Sequence, residues 1–156
     1  MLWLGGEAGD PEEGEARIRQ AIRSGDGLAR FRDMVAFQGG DRRVADDPGV
    51  LPAARHRRDV IAAEAGFVTT IDCERIGTAG VVIGGGRRRK EDAIDWGVGF
   101  RIHARLGAPV AAGDPLVTVH YNDSASLPEA EDLVRSAFVI GERPPEPRQL
   151  VIETVE

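Results

Sequence analysis

The chain has 156 residues, of which 42% are hydrophobic and 29% charged, with a formal net charge of −6. That length holds one domain with a real core, or a small domain plus part of another, and the composition is that of an ordinary globular protein. The acidic balance argues against a general nucleic-acid binder, the single Cys73 excludes an intrachain disulfide and fits a reducing compartment, and aromatics at 5% give no platform for stacked bases.

Met1-Leu2-Trp3-Leu4 has neither the cationic start nor the length of a targeting segment. No apolar run approaches the ~20 residues of a membrane span. Because natural N-termini are usually polar and loosely held, Leu2, Trp3 and Leu4 read instead as the end of a buried helix whose beginning is missing.

Asp10-Pro11-Glu12-Glu13 predicts a helix start, with Asp10 as the N-cap, Pro11 at the first helical position and carboxylates where the macrodipole favours them. Gly25 ends that helix. A second runs from about Gly27 to Gln38, with Leu28, Phe31 and Val35 at helical spacing and Gly39-Gly40 as terminator. Two short helices cannot bury both faces alone, so the pair should dock on something else. From Asp41 to Pro52 the composition shifts to Asp, Arg, Gly and Pro, which reads as a connector and marks a domain boundary.

Beyond Arg55-His56-Arg57-Arg58, strands are expected over Asp59 to Ala63 and over Gly66 to Ile71. Asp72 can cap a helix from Cys73 to about Ile83, whose Ile76, Ala79, Gly80 and Ile83 share one side, and Gly84 is its natural stop. Gly97 to Leu106 reads as a strand with Val98, Phe100 and Ile102 on one face and Arg101, His103 and Arg105 on the other. Val110 starts a short extended piece, Ala112-Gly113-Asp114-Pro115 makes a turn, and Leu116 to Tyr121 is a strand. Ser126 with Glu129 forms a capping-box pattern ahead of a helix with an apolar stripe, Ala130, Leu133, Val134, Ala137 and Phe138, that Gly141 ends. Pro144, Pro145 and Pro147 then bring the chain round to a last strand over Leu150 to Val155. The second part is therefore α+β, with about six short strands and two helices.

The stretch with the most unusual chemistry is Gly84-Gly85-Gly86-Arg87-Arg88-Arg89-Lys90-Glu91-Asp92-Ala93-Ile94-Asp95. Three glycines allow close backbone approach to a ligand, and four cations would attract an anion such as phosphate. The competing reading is a helix terminator followed by a solvated charged loop. A Walker-type phosphate loop needs Gly before the lysine and Ser or Thr after it, but Arg89 precedes Lys90 and Glu91 follows. A dinucleotide fingerprint needs spaced glycines between a strand and a helix start, whereas these follow a helix. Among metal ligands, His103 and His120 could be neighbours on adjacent strands, yet with His56 and Cys73 they form no pair at a ligand spacing. None of Ser24, Ser124, Ser126 and Ser136 lies in a nucleophile elbow.

Taken together, several segments resemble the C-terminal part of the pyrimidine-nucleoside phosphorylases, the group that includes thymidine phosphorylase. They are Phe31 to Asp41, Asp47-Pro48 through Leu51-Pro52, Ala65 to Val68 with Ile71-Asp72, Ile76-Gly77, Gly84 to Arg87 with Lys90 to Asp95, Val98-Gly99, Gly113 to Leu116, and Val119-His120. The resemblance implies a homodimeric cytoplasmic pentosyltransferase that cleaves pyrimidine nucleosides with phosphate as co-substrate, without a further cofactor, metal, nucleic-acid or membrane partner. It also implies that residues 1–40 are terminal helices of a helical domain, 41–52 a linker and 53–156 a C-terminal α/β lobe of barrel-sandwich, hammerhead-like form. The family's Lys-His-Ser-Thr-Gly-Gly phosphate segment and its pyrimidine-holding Arg, Ser and Lys have no counterpart here, so no catalytic residue is carried over. Upstream helical and α/β domains would complete the enzyme, and Gly84, Gly85, Gly86, Arg87, Arg88 and Lys90 would belong to a loop closing over its cleft. Lipoyl and biotinyl carriers share a distant likeness in shape, but they need a lysine at an exposed hairpin tip, and Lys90, the only lysine, follows a helix within a charged loop.

Overall fold

The computed structural model describes residues 1–147, 149 and 151–153. It divides into two compact units, Met1–Leu51 and Pro52–Glu156. In the first, α1 (Pro11–Ser24) and α2 (Asp26–Phe37) are followed by short 3-10 turns at Arg42–Ala45 and Pro48–Val50. The Asp10 carboxylate accepts the Glu13 N–H at 2.7 Å while the Glu13 carboxylate accepts the Gly9 N–H at 2.7 Å, so two donors at the helix start are satisfied reciprocally. Gly25 closes α1 in the left-handed conformation. An ion pair between Arg32 and Asp46 fastens the 3-10 segment to α2.

Residues 2–6 form hydrogen-bonded turns, not the end of a buried helix: Leu4 is 81% exposed. Gly5 and Gly6 supply the reason, since two consecutive glycines favour a turn over helix propagation.

The second unit holds β1 (His56–Ile61), β2 (Gly66–Ile71), α3 (Cys73–Val82), β3 (Gly99–Ile102), β4 (Pro109–Val110), β5 (Pro115–Tyr121), α4 (Leu127–Ala137) and β6 (Phe138–Gly141). The odd-numbered strands form one antiparallel sheet in the order β1-β5-β3, and the even-numbered strands another in the order β4-β2-β6. Each central strand supplies fully buried valines, Val117 and Val119 from β5 and Val68 from β2, and these join Val60 of β1 and Val134 of α4 in one core. The helices contribute small residues to it: Ala79 of α3 with Ala130 and Ala137 of α4 are all fully or almost fully buried. Side chains of that size let helices pack at short range.

Four expected elements differ, each for a local reason. β1 begins at His56, three residues early, because it is an edge strand: only Val60 must be buried, and Arg58 satisfies itself on Glu131 of α4 at 2.9 Å. β3 stops at Ile102, where the N–H groups of both His103 and Ala104 turn to the Leu116 carbonyl. The capping box does not form: Ser126 has a helical backbone (φ −83°, ψ −15°), not the extended one of an N-cap, its hydroxyl accepts no helix N–H and donates to the Asp123 carbonyl, and Glu129 engages Arg88. Most consequentially, α4 ends at Ala137, not at Gly141, and Phe138 to Gly141 pair with β2 as a strand. Of the strand expected over 150–155, residues 151–153 are irregular and the other three positions lie outside the described residues.

One polar cluster ties the segment after α3 to the first sheet. Asp95 donates its N–H to the Gly84 carbonyl (2.9 Å), and its carboxylate accepts from the Gly97 N–H (2.9 Å) and the Asn122 amide (2.7 Å). Asn122, just past β5, accepts in turn from the Arg55 N–H ahead of β1 (2.7 Å). Gly97 is required there because a Cβ would stand 2.9 Å from the Ala53 backbone carbon. The Asn122 hydrogen bond first, then that from Gly97 and the charge of Arg55, hold the Asp95 carboxyl below its ordinary value against the opposing effect of burial.

Two outcomes follow from this arrangement. Val119→Ala removes two methyl equivalents from a fully buried site and should cost on the order of 2 kcal/mol in urea unfolding. Because the folded Asp95 pKa is depressed, its contribution is complete above the unfolded value and is lost as pH falls through the folded one. Asp95→Ala should therefore lower Tm at pH 7, and the gap from wild type should narrow as pH drops below 3.8.

Candidate functional site

The glycine-arginine loop leaves α3 through Gly84, whose φ of +92° is a left-handed conformation that side chains rarely adopt. The N–H of Gly84 donates to the Val81 carbonyl and that of Gly85 to Gly80, so both glycines close the helix in the manner of a C-terminal cap. Gly86 packs against the Val81 side chain. The helix therefore stops where Gly84 predicts, whereas the organisation of the charges that follow depends on groups further along the chain.

Asp92 supplies that organisation. One of its carboxylate oxygens accepts from the backbone N–H groups of Arg88 (3.1 Å) and Arg89 (2.8 Å), and its own N–H donates to the Arg89 carbonyl (3.1 Å). The basic run is thereby folded into a tight turn by a carboxylate three and four residues downstream of the N–H groups it accepts from, a local side-chain-to-backbone closure. Arg88 reaches Glu129 in the first turn of α4 at 3.2 Å, both side chains more than half exposed. Arg87, Arg89 and Lys90 are exposed and make no ion pair among the described residues.

Between this loop and the start of α4 lies an open cleft of about 470 Å³, lined by Gly84, Gly86, Arg88, Asp92, Asp123, Ser126 and Glu129 among others. Three carboxylates face one guanidinium in that lining, so its own electrostatics do not favour a phosphate. The unpaired cations stand outside the lining, where they can meet only an anion or acidic surface brought from elsewhere.

No cluster of three or more His, Cys, Asp or Glu side chains is placed to hold a metal among the described residues. His103 and His120 are not neighbours. His120 is opposite Gly99 at one end of the β3–β5 ladder, while His103 lies beyond Ile102, which is opposite Val117 at the other end. The ring Nε2 of His103 meets the Thr118 hydroxyl at 2.8 Å, and that hydroxyl donates to Asp59 at 2.5 Å, so the histidine belongs to a polar chain across the sheet. Cys73 is a free, exposed thiol. The residues that sequence reasoning missed are the anchors, namely Asp92, Asp95, Asn122 and Glu129. The spacing of Asp92 from Arg88 and Arg89 is a signal that could have found the first, but the others need the fold.

The family described as "Pyrimidine nucleoside phosphorylase C-terminal domain" matches residues 67–141, a span from β2 to the end of β6 that contains the whole loop. Among curated proteins, the chain is 39% identical over 122 residues to the pyrimidine-nucleoside phosphorylase of Bacillus subtilis (strain 168), covering 78% of this chain and 28% of that protein. It is 40% identical over 148 residues to the thymidine phosphorylase of Burkholderia cenocepacia (strain HI2424), covering 91% of this chain and 33% of that protein. The pyrimidine-nucleoside phosphorylase of Geobacillus stearothermophilus is 37% identical over 122 residues, with 78% and 28% covered. The chain thus spans a third or less of the length of these relatives. With a matching C-terminal domain and relatives that cover both of its units, the chain belongs to the pyrimidine-nucleoside phosphorylase family, as a C-terminal part.

Proposed function

We propose that the chain is the C-terminal portion of an enzyme that cleaves pyrimidine nucleosides with inorganic phosphate, giving the free base and a pentose 1-phosphate. The observation that carries this is 40% identity across 91% of the chain to a protein named thymidine phosphorylase. On this reading residues 1–40 are terminal helices of the helical domain, 41–52 are a linker, and 53–156 form the C-terminal lobe of a cytoplasmic homodimer. Alternation of the six strands between two antiparallel sheets supports a barrel-sandwich, hammerhead-like form for that lobe.

Phosphorolysis needs a phosphate oxygen held against the anomeric carbon and a group that stabilises charge on the departing base. The cleft beside the loop offers mainly carboxylates, which suit neither task. The chain alone is therefore inactive, and its contribution is scaffold plus a loop that closes over nucleoside and phosphate held by upstream domains. In that role the base of the loop stays fixed by Asp95, while its tip is held by the exposed Arg88–Glu129 pair, an interaction of small worth that salt screens. Arg87, Arg89 and Lys90 are the cations available to an anion in the closed state. A second reading, a stand-alone binding module without catalysis, is favoured by the core of its own that the second unit builds between Val60 and Phe138.

Co-expression with the N-terminal two thirds of the Burkholderia relative separates these readings. Phosphorolysis of thymidine or uridine should appear in the mixture and be absent from the chain alone. In the reconstituted enzyme, Arg87→Ala with Arg88→Ala should lower kcat/KM about tenfold, the scale of one lost charged contact, with Tm nearly unchanged. Activity of the isolated chain would refute the fragment reading, an inert mixture would favour the module, and unaltered kinetics in the double variant would leave the loop as a helix stop only.

A further inference from the structure

The unit Met1–Leu51 is built almost without a core of its own: among its apolar side chains only Ala8 is buried. Ile18 and Ile22 are one turn apart on α1, and Leu28, Phe31 and Met34 recur at three-residue spacing on α2, yet all five are at least 40% exposed and Phe37 is 94% exposed. An apolar groove of about 460 Å³ runs between the N-terminal turns and α1, lined by Leu2, Trp3, Gly14 and Ile18 among others. An amphipathic helix pair that exposes its apolar stripes is a docking surface waiting for its other half.

We infer that this face of α1 and α2 is the seat of the polypeptide that precedes the matched third in the longer relatives. Three observations point to that occupant and away from a second copy. The matching domain is by description a C-terminal one, so the remaining two thirds of a relative lie upstream of it. The similarity to the Burkholderia protein spans 91% of this chain, so it takes in most of the helical unit, and the apolar stripes fall within the part shared with a protein three times as long. Finally, the unit carries ten carboxylate side chains against seven arginines, so mating two copies through the same face would bring like net charges together, an arrangement that disfavours self-association. The inference rests on the family reading above and adds to it where the partner sits.

The test uses the full chain and the N-terminal two thirds of the Burkholderia cenocepacia thymidine phosphorylase, with binding followed by titration calorimetry and phosphorolysis assayed in the same mixture. The double variant Ile22→Asp, Phe31→Asp should bind at least tenfold more weakly than wild type while keeping the same far-ultraviolet circular dichroism, since both side chains are already exposed. Should the charged variant lose helix, Ile22→Ala with Phe31→Ala should show the same direction with a smaller loss. Tight binding by wild type and variants alike would overturn this placement and leave the phosphorolysis reading standing. Wild-type binding without phosphorolysis would remove that reading alone, and no wild-type binding would remove both. A chain that self-associates, and whose charged variant is monomeric and still binds the upstream polypeptide, would give this face to a second copy and overturn the proposal.

Discussion

The register of β5 between β1 and β3 is the constraint on which the lobe depends. As the central strand it must present Val117 and Val119 to the core, and a shift of one residue would put the polar Thr118 and His120 in their places. Once that register is set, Asn122 follows at a fixed place beyond Tyr121, where its amide takes the Asp95 carboxylate and its carbonyl takes the Arg55 N–H. Asp95 then holds Gly84 and Gly97 together, so both ends of the basic loop are tied to the end of a strand, through an Asn122 that is 27 residues from Asp95. Packing energy sets the strand, the strand sets the hydrogen bonds, and the hydrogen bonds set the loop.

Much of this was legible in the sequence wherever one local rule acted unopposed. Asp10 with Pro11, Asp72 before Cys73, and Gly84 after Val82 all behave as capping chemistry requires. The readings that failed did so where tertiary partners competed for the same groups. Ser126 and Glu129 have the spacing of a capping box, but the backbone of Ser126 is already helical and the distant Arg88 claims the Glu129 carboxylate. Phe138 continues the helical stripe of α4, yet Val139 and Ile140 are β-branched and the exposed flank of β2 offers them a ladder, so the helix yields. His56 to Arg58 look too charged for a strand until β1 proves to be an edge.

The loop itself shows why a local pattern of glycines and cations is weak evidence for a phosphate site. Its glycines serve helix termination and close packing, Asp92 and Glu129 neutralise part of its charge, and in the adjacent cleft three carboxylates outnumber the one guanidinium. What it retains is three exposed cations on a base that cannot shift easily. Such an element is suited to meeting an anion held by another surface, in a chain that spans about a third of the length of the relatives it matches and leaves an apolar helical face uncovered.

Hydrogen–deuterium exchange at the loop is the most direct measurement of that fixed base. The amides of Gly85, Asp95 and Gly97, each donating to a protein acceptor, should exchange far more slowly than those of Arg87 and Lys90, and Asn122→Ala should release Gly97 first. Exchange of Gly85, Asp95 and Gly97 at the rate of a free peptide, with the amides of β5 still protected, would contradict the account.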